Sequence, residues 1–228
     1  IMLDLNQTRK FPSEEIPRKI SVKDFASLPM PTEPVYKFLD SLAPILAVNE
    51  LRDLAYKINR AWAMGKPVYF AMGAHVIKTG CAPIIIDLIK HGIIKGLLVN
   101  GAFAIHDVEI ARDGCTSECV EETLPEGRFG FAQETAQIIL NAAKYGSYAK
   151  LGLGFTLGRD ISGSQFPYKA NSVLAAAYEK GIPCGVMVAI GTDTIHMHDN
   201  DMGRCLGEAS HQDFRIMAEK VCEMDGGV

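Results

Sequence analysis

Three short apolar runs stand out along the chain, none with polar alternation and each followed at once by glycine or polar residues. They are Pro67–Met72, Gly96–Val99 and Cys184–Ile190. Unbroken runs of this length are the pattern of strands covered on both faces. The first two lie about 28 residues apart and enclose Pro83–Lys90, a helical pattern with proline in its first turn and His91-Gly92 as its stop. Two buried strands with a helix between them cannot form a hairpin, so the spacing predicts a right-handed parallel crossover. The predicted class is α/β with a mostly parallel sheet.

The rest of the chain reads as helices and loops. Helical patterns cover Val35–Ala43, stopped by Pro44, and Asn49–Met64, with Asn49 as N-cap and Gly65 as stop. In the second, Leu51, Leu54, Ala55, Ile58 and Trp62 recur at helical spacing and predict one buried face. Further helices are predicted at Ala104–Ala111, Ser117–Thr123, Gly130–Tyr145, Asn171–Glu179 and Gln212–Glu223, and Met224–Val228 reads as the approach to another strand. Residues 1–34 are polar and rich in proline, which predicts an extended arm with one short helix at Val22–Ser27. Residues 35–228 form a single α/β domain in this reading. Ile1 at the start and a sheet that loses strands at Val228 suggest a fragment or processed product, truncated at its C-terminus.

Charge and cysteine usage narrow the function classes. The net charge is −4 and no run of Lys or Arg occurs. A nucleic-acid partner, which needs a concentrated basic face, is not expected. No apolar run approaches the ~18 residues of a membrane helix, and no basic-then-apolar leader opens the chain. Among six cysteines none forms a CxxC pair; Cys115 and Cys119 stand four apart in a polar stretch, and Cys81 and Cys184 lie in apolar surroundings. That usage suits a reducing cytoplasm rather than a disulfide framework or zinc knuckle.

Candidate chemistry collects where the apolar runs end. In open parallel sheets ligands bind beyond the carboxyl ends of strands, where helix starts offer free N–H groups. The first run leads into Gly73-Ala74-His75 and Lys78-Thr79-Gly80. The second leads into Asn100-Gly101-Ala102 and His106-Asp107-Val108-Glu109. The third leads into Gly191-Thr192-Asp193 and His196-Met197-His198-Asp199-Asn200-Asp201. Taken singly, the glycines are ordinary turn residues, His75 and His106 are core or cap histidines, and Lys78 is a solvated side chain. Alternate residues of the His196–Asp201 loop share one side and suit a divalent metal; a charged loop over the sheet edge is the plainer reading, and no metal site is assigned. The chain has no GxGxxG, GxSxG or P-loop motif, so ordinary dinucleotide, hydrolase and NTPase fingerprints are missing.

Several of these segments resemble the deoxyhypusine synthase family, in particular its divergent prokaryotic branch. They are Gly73–Pro83, Val99–Glu109, Thr116-Ser117-Glu118, Gly127–Thr135 and Gly191–His198, with Gly207–Ser210 beyond. The likeness spans about residues 45–228. It implies a Rossmann-like three-layer α/β/α domain that binds NAD at the strand ends, and a homotetramer with active sites between paired subunits. The reaction it implies is oxidation of spermidine with NAD and transfer of the aminobutyl group, through an enzyme lysine, to a translation-factor lysine or a small amine. Carried over residue by residue, Gly73, Ala74, His75, Lys78 and Thr79 fall in the first cofactor loop. Asn100, Gly101, Ala102 and Asp107 fall in the second, and Thr192 and Asp193 in a third. His106, Glu109, Asp193 and His196 become candidate contacts to the polyamine. His106 departs from the family, which carries an acidic residue there. The family's catalytic lysine matches no residue here, and Lys78, in the first cofactor loop, does not replace it. Two other readings stay open: a catalytically silent NAD- or metabolite-binding homologue, and a metal-assisted hydrolase working at His196 and His198.

Overall fold

The structure is a computed structural model that describes residues 34–45, 47–198 and 202–228. The arm of residues 1–33, with the helix predicted at Val22–Ser27, lies outside the described residues. The chain divides into two compact units, Ile1–Lys57 and Ile58–Val228.

In the first unit, helix α1 (Val35–Ser41) is followed by α2 (Ala47–Ala63), which runs on past Lys57. Arg52 closes α1: its guanidinium donates to the carbonyls of Leu39, Asp40 and Leu42 at 2.7, 2.8 and 3.2 Å. Asn49 does not cap α2, which begins two residues earlier; its side-chain amide donates to the Pro44 carbonyl instead. The predicted buried face of α2 is also corrected. Leu51, Leu54 and Trp62 are 55%, 49% and 45% exposed, so the apolar stripe is present but uncovered.

The second unit is built on three parallel strands in the order β1 (Tyr69–Met72), β2 (Gly96–Asn100), β3 (Cys184–Met187). Tyr69 stands opposite Gly96, and Leu97 opposite Cys184. Helices α3 (His75–Lys78) and α4 (Ala82–Lys90) connect the first pair. The second pair is joined through α5 (Gly101–Asp113), α6 (Val120–Thr123), α7 (Gln133–Ala149), α8 (Leu153–Gly163) and α9 (Val173–Lys180), and α10 (Gly203–Cys222) follows the sheet. This is the Rossmann-like α/β/α class. Central β2 is buried as its apolar run predicts, whereas β1 keeps Ala71 exposed. On the outer side of β1, Val228 N donates to Pro67 O at 3.0 Å and its carbonyl accepts from Tyr69 N at 2.8 Å. That is one parallel bridge, in line with a strand approach at Met224–Val228.

Strand β3 ends three residues before its apolar run does. The Val188 N–H turns to Ser210 Oγ (2.9 Å) and the Ala189 N–H to Asp193 Oδ2 (3.1 Å), so neither continues the ladder. Helix α8 has no counterpart among the predicted elements. Its glycines lower helix propensity, yet they let its backbone approach its neighbours. A Cβ on Gly154 would stand 1.9 Å from the Cys184 carbonyl oxygen, and one on Gly158 would stand 2.5 Å from that of Leu174. Leu153, Leu157 and Ile161 then enter a core shared with Phe103, Leu174 and Val186. Burying each such side chain contributes about 1.5–3 kcal/mol.

Two buried aspartates join distant elements at helix starts. Asp107 on α5 accepts from Val173 N (2.8 Å), Leu174 N (3.2 Å) and Ser172 Oγ (2.5 Å) at the start of α9. Asp213 on α10 accepts from Leu153 N (3.0 Å) and Gly154 N (2.9 Å) at the start of α8, and from Val186 N (2.9 Å) in β3. Each supplies the acceptor that orphan N–H groups of a first helical turn need.

Candidate functional site

The carboxyl ends of the three strands open into one cleft of about 240 Å³. From the first strand end comes Lys78, at the close of α3; from the second come Ala102, His106 and Glu109 on α5; from the third come Thr192 and Asp193. Residues about 115 apart in sequence therefore meet, as parallel topology requires of successive strand ends. A second hollow of about 410 Å³ shares Phe129, Thr192, Asp193 and Thr194 with the first and adds Phe131 and His196.

Asn100 sets the start of α5, its Oδ1 accepting from Phe103 N at 2.9 Å. The carboxylate of Asp193 lies directly on the first residue of that helix, because a Cβ on Gly101 would stand 2.0 Å from Asp193 Oδ2. Only glycine permits this approach. A negative group over a helix start is stabilised by the unpaired N–H groups there. Burial holds the half-buried Asp193 carboxyl above its usual range, against the opposing pull of the Ala189 N–H and of His196. The loop is closed by Ala189 O, which accepts from Thr192 N (3.1 Å), Asp193 N (3.3 Å) and Thr192 Oγ1 (3.1 Å).

His106 and Glu109 on α5 form a chain of polar contacts with Thr116, which lies just beyond the end of the helix. Thr116 Oγ1 donates to Glu109 Oε2, and His106 Nδ1 lies 2.5 Å from the same hydroxyl and 3.4 Å from the carboxylate. With the Thr116 proton on the glutamate side, its oxygen accepts from His106 Nδ1–H, which leaves Nε2 as the basic nitrogen. Among the described residues Nε2 has no hydrogen-bond partner. The Glu118 carboxylate also lines the cleft and accepts from Gly130 N at 2.9 Å. Ser117 before it holds a left-handed backbone, φ +69°, an uncommon state for serine that is worth about 1 kcal/mol of strain. Three carboxylates, Glu109, Glu118 and Asp193, thus face one lysine and one histidine. The balance favours a cationic ligand.

Not every expected residue joins the cleft. Asp107 is corrected: it is fully buried, both its oxygens accept at the start of α9, and it faces away from Glu109 because positions i and i+2 of a helix point apart. Gly73 and Ala74 lead from β1 into α3, His75 opens that helix and Thr79 closes it, and none of the four lines the cleft; Thr79 Oγ1 donates to His75 O at 2.7 Å. His196 and His198 do not converge. His196 Nε2 lies 3.2 Å from Ala189 O, and His198 Nε2 lies 2.8 Å from Gly130 O. Among the described residues no three His, Cys, Asp or Glu side chains are grouped to hold a metal, and Asp199 and Asp201 fall outside them. Thr116, Glu118 and Phe129 were not expected as site residues. They lie in segments that carry the family resemblance, but no spacing rule links them to α5.

No family model matches the chain, and no curated protein matches it. Among solved structures, the chain is similar to the apo crystal structure of ArgZ, an arginine dihydrolase from the ornithine-ammonia cycle in cyanobacteria, at 19% identity and a TM-score of 0.42. The match covers 70% of this chain and 21% of ArgZ, so the chain spans about a fifth of that protein's length. Among the described residues no helix is long and apolar enough to cross a membrane, and all six cysteines are free thiols.

Proposed function

We propose that this chain forms the amine- and dinucleotide-binding part of a deoxyhypusine-synthase-like, NAD-dependent aminobutyl transferase that uses spermidine. The observation that carries the reading is the meeting of Glu109, Glu118 and Asp193 with Lys78 and His106 at parallel strand ends. A polyamine presents several ammonium groups, and each finds a carboxylate within one cleft. His106 is the base: Nε2 takes a proton from the amine nitrogen, and Thr116 and Glu109 stabilise the imidazolium that forms.

The residues fit a dinucleotide in part. Gly73 and Gly80 are open, with no side chain or backbone crowding a Cβ placed there beyond Asn100 Nδ2 at 3.8 Å from Gly73. The start of α5 is different, since Asp193 already supplies the negative charge that a phosphate would bring. The phosphates are therefore assigned to the loop after β1, beside Lys78, and the nicotinamide end to the cleft. Bound there, NAD supplies the hydride acceptor that converts an inert amine into an electrophile. The covalent lysine of the family is assigned to no residue of this chain.

Asp193 on the start of α5 also favours a second reading, in which the chain holds an amine without turning it over. Incubation with NAD and spermidine separates the two. With no acceptor present the transferase forms NADH, releases diaminopropane and leaves the four-carbon unit as a cyclic imine; NAD and amine binding with none of these products, for any polyamine, leaves the silent homologue. Self-association is part of the proposal, supported by the uncovered stripe of Leu51, Leu54 and Trp62 on α2.

A further inference from the structure

At the amino end of β3, the end of the strand opposite to the cleft, lies a cavity of about 400 Å³. Phe155, Tyr178, Ile182 and Ile216 make its walls, and the Phe155 and Tyr178 rings meet edge to face with centroids 5.3 Å apart. Two lysines, Lys150 and Lys220, reach the same lining. Lys150 closes α7 with a left-handed backbone, φ +56°. Glycine takes such a position at no steric cost, whereas lysine rarely adopts it. A cation is favoured anywhere in the last turn of a helix, so the helix end alone does not explain a lysine at the strained position. Backbone strain of this kind gathers where a side chain is needed for binding.

We infer that this cavity is a second binding site, which takes a small aromatic acid with its ring against Phe155 and Tyr178 and its carboxylate on Lys150. The volume lies in the range of small-molecule sites, which are concave, mostly apolar and supplied with a few placed polar groups (roughly 300–1,000 Å³). Of the charged groups in the lining, Lys150 is the one left for a ligand. Lys220 Nζ pairs with Glu223 at 2.8 Å, a residue outside the lining. Asp213 is sealed at 1% exposure, its Oδ2 accepts from the N–H groups of Leu153, Gly154 and Val186, and burial holds its carboxyl at about 7. Burial likewise pushes the Cys184 thiol well up, so neither group brings a negative charge to the cavity on the acid side of neutrality. Among the described residues no carboxylate lies within ion-pair distance of Lys150. An apolar hollow with one unpaired ammonium selects an anion with an apolar body and disfavours an amine.

Titration of the ¹⁵N-labelled full chain with indole-3-propionate tests the site at about pH 6, where Asp213 keeps its proton, with tryptamine as the cationic counterpart. Indole-3-propionate is expected to shift the amide resonances of Gly154, Phe155, Ile182 and Cys184, and to leave Ala102 and His106 at the strand-end cleft unmoved. Tryptamine should bind the cavity more weakly. Lys150→Gly removes the ammonium and suits the left-handed position. The thermal midpoint should therefore hold or rise while indole-3-propionate affinity falls about tenfold, and Lys150→Arg should keep the affinity. Ile216→Trp fills the cavity from α10 and should abolish binding. Three outcomes overturn the inference: unmoved Gly154, Ile182 and Cys184 amides, tryptamine binding there as tightly as the acid or more so, or indole-3-propionate affinity unchanged in Lys150→Gly. The last decides the matter even where Ile216→Trp does not fold.

Discussion

A carboxylate near a helix start can serve the helix or a ligand, and Asp107 and Glu109 divide along that line. They sit two residues apart on α5, yet one is sealed against α9 and the other faces the cleft. Asp107→Ala should therefore cost stability, about 2–4 kcal/mol by denaturant unfolding, because Ser172 Oγ and two buried N–H groups lose their acceptor. Amine affinity per folded molecule should stay unchanged; a loss of affinity at full stability would return Asp107 to the site. Thr116→Val should do the reverse. It removes the hydroxyl between His106 and Glu109, and turnover of the amine should drop by roughly 10²-fold at unchanged stability. Unaltered turnover would assign Thr116 a purely structural part. Gly101→Ala tests the third carboxylate, since the added methyl must displace Asp193 from the start of α5. Weaker amine binding is expected by calorimetry, with NAD binding unaffected or tighter.

Among the elements, α8 shows most sharply what local pattern leaves out. Glycine at 152, 154, 158 and 163 argues against a helix by propensity. Gly154 and Gly158 nevertheless bring α8 against the backbones of β3 and α9, and only the positions of those elements reveal the need. Gly154→Ala is expected to lower stability by about 1–3 kcal/mol despite its better helix propensity, since the methyl meets the Cys184 carbonyl. A more stable variant by thermal unfolding would contradict that packing. The strand runs and most helices were legible because burial on both faces and 3.6-residue periodicity are local signals; α10 nonetheless starts at Gly203, nine residues before the predicted Gln212. The apolar run outlasts β3 because it does not reveal where side chains such as Ser210 and Asp193 capture the N–H groups of Val188 and Ala189.

For the molecule as a whole, the buried carboxyls set an unusual pH dependence. Burial outweighs the N–H donors and holds Asp107 at about 6 and Asp213 at about 7. The folded state then keeps protons that the unfolded chain releases near 3.8, so their stabilisation is fully present below that pH and is lost as pH rises through the folded values. The thermal midpoint should fall between about pH 4 and about pH 7. A midpoint that rises over this interval would show that the helix-start N–H groups win over burial. Sequence by itself determined the parallel α/β arrangement and the gathering of Lys78, His106, Glu109, Thr192 and Asp193 at strand ends, because burial pattern and parallel topology are written in local order. Tertiary structure alone decided which polar residues reach a ligand. Asp107 and Asp213 find their partners some 60 residues away, at helix starts whose positions no local pattern encodes, and those contacts turn both aspartates into caps.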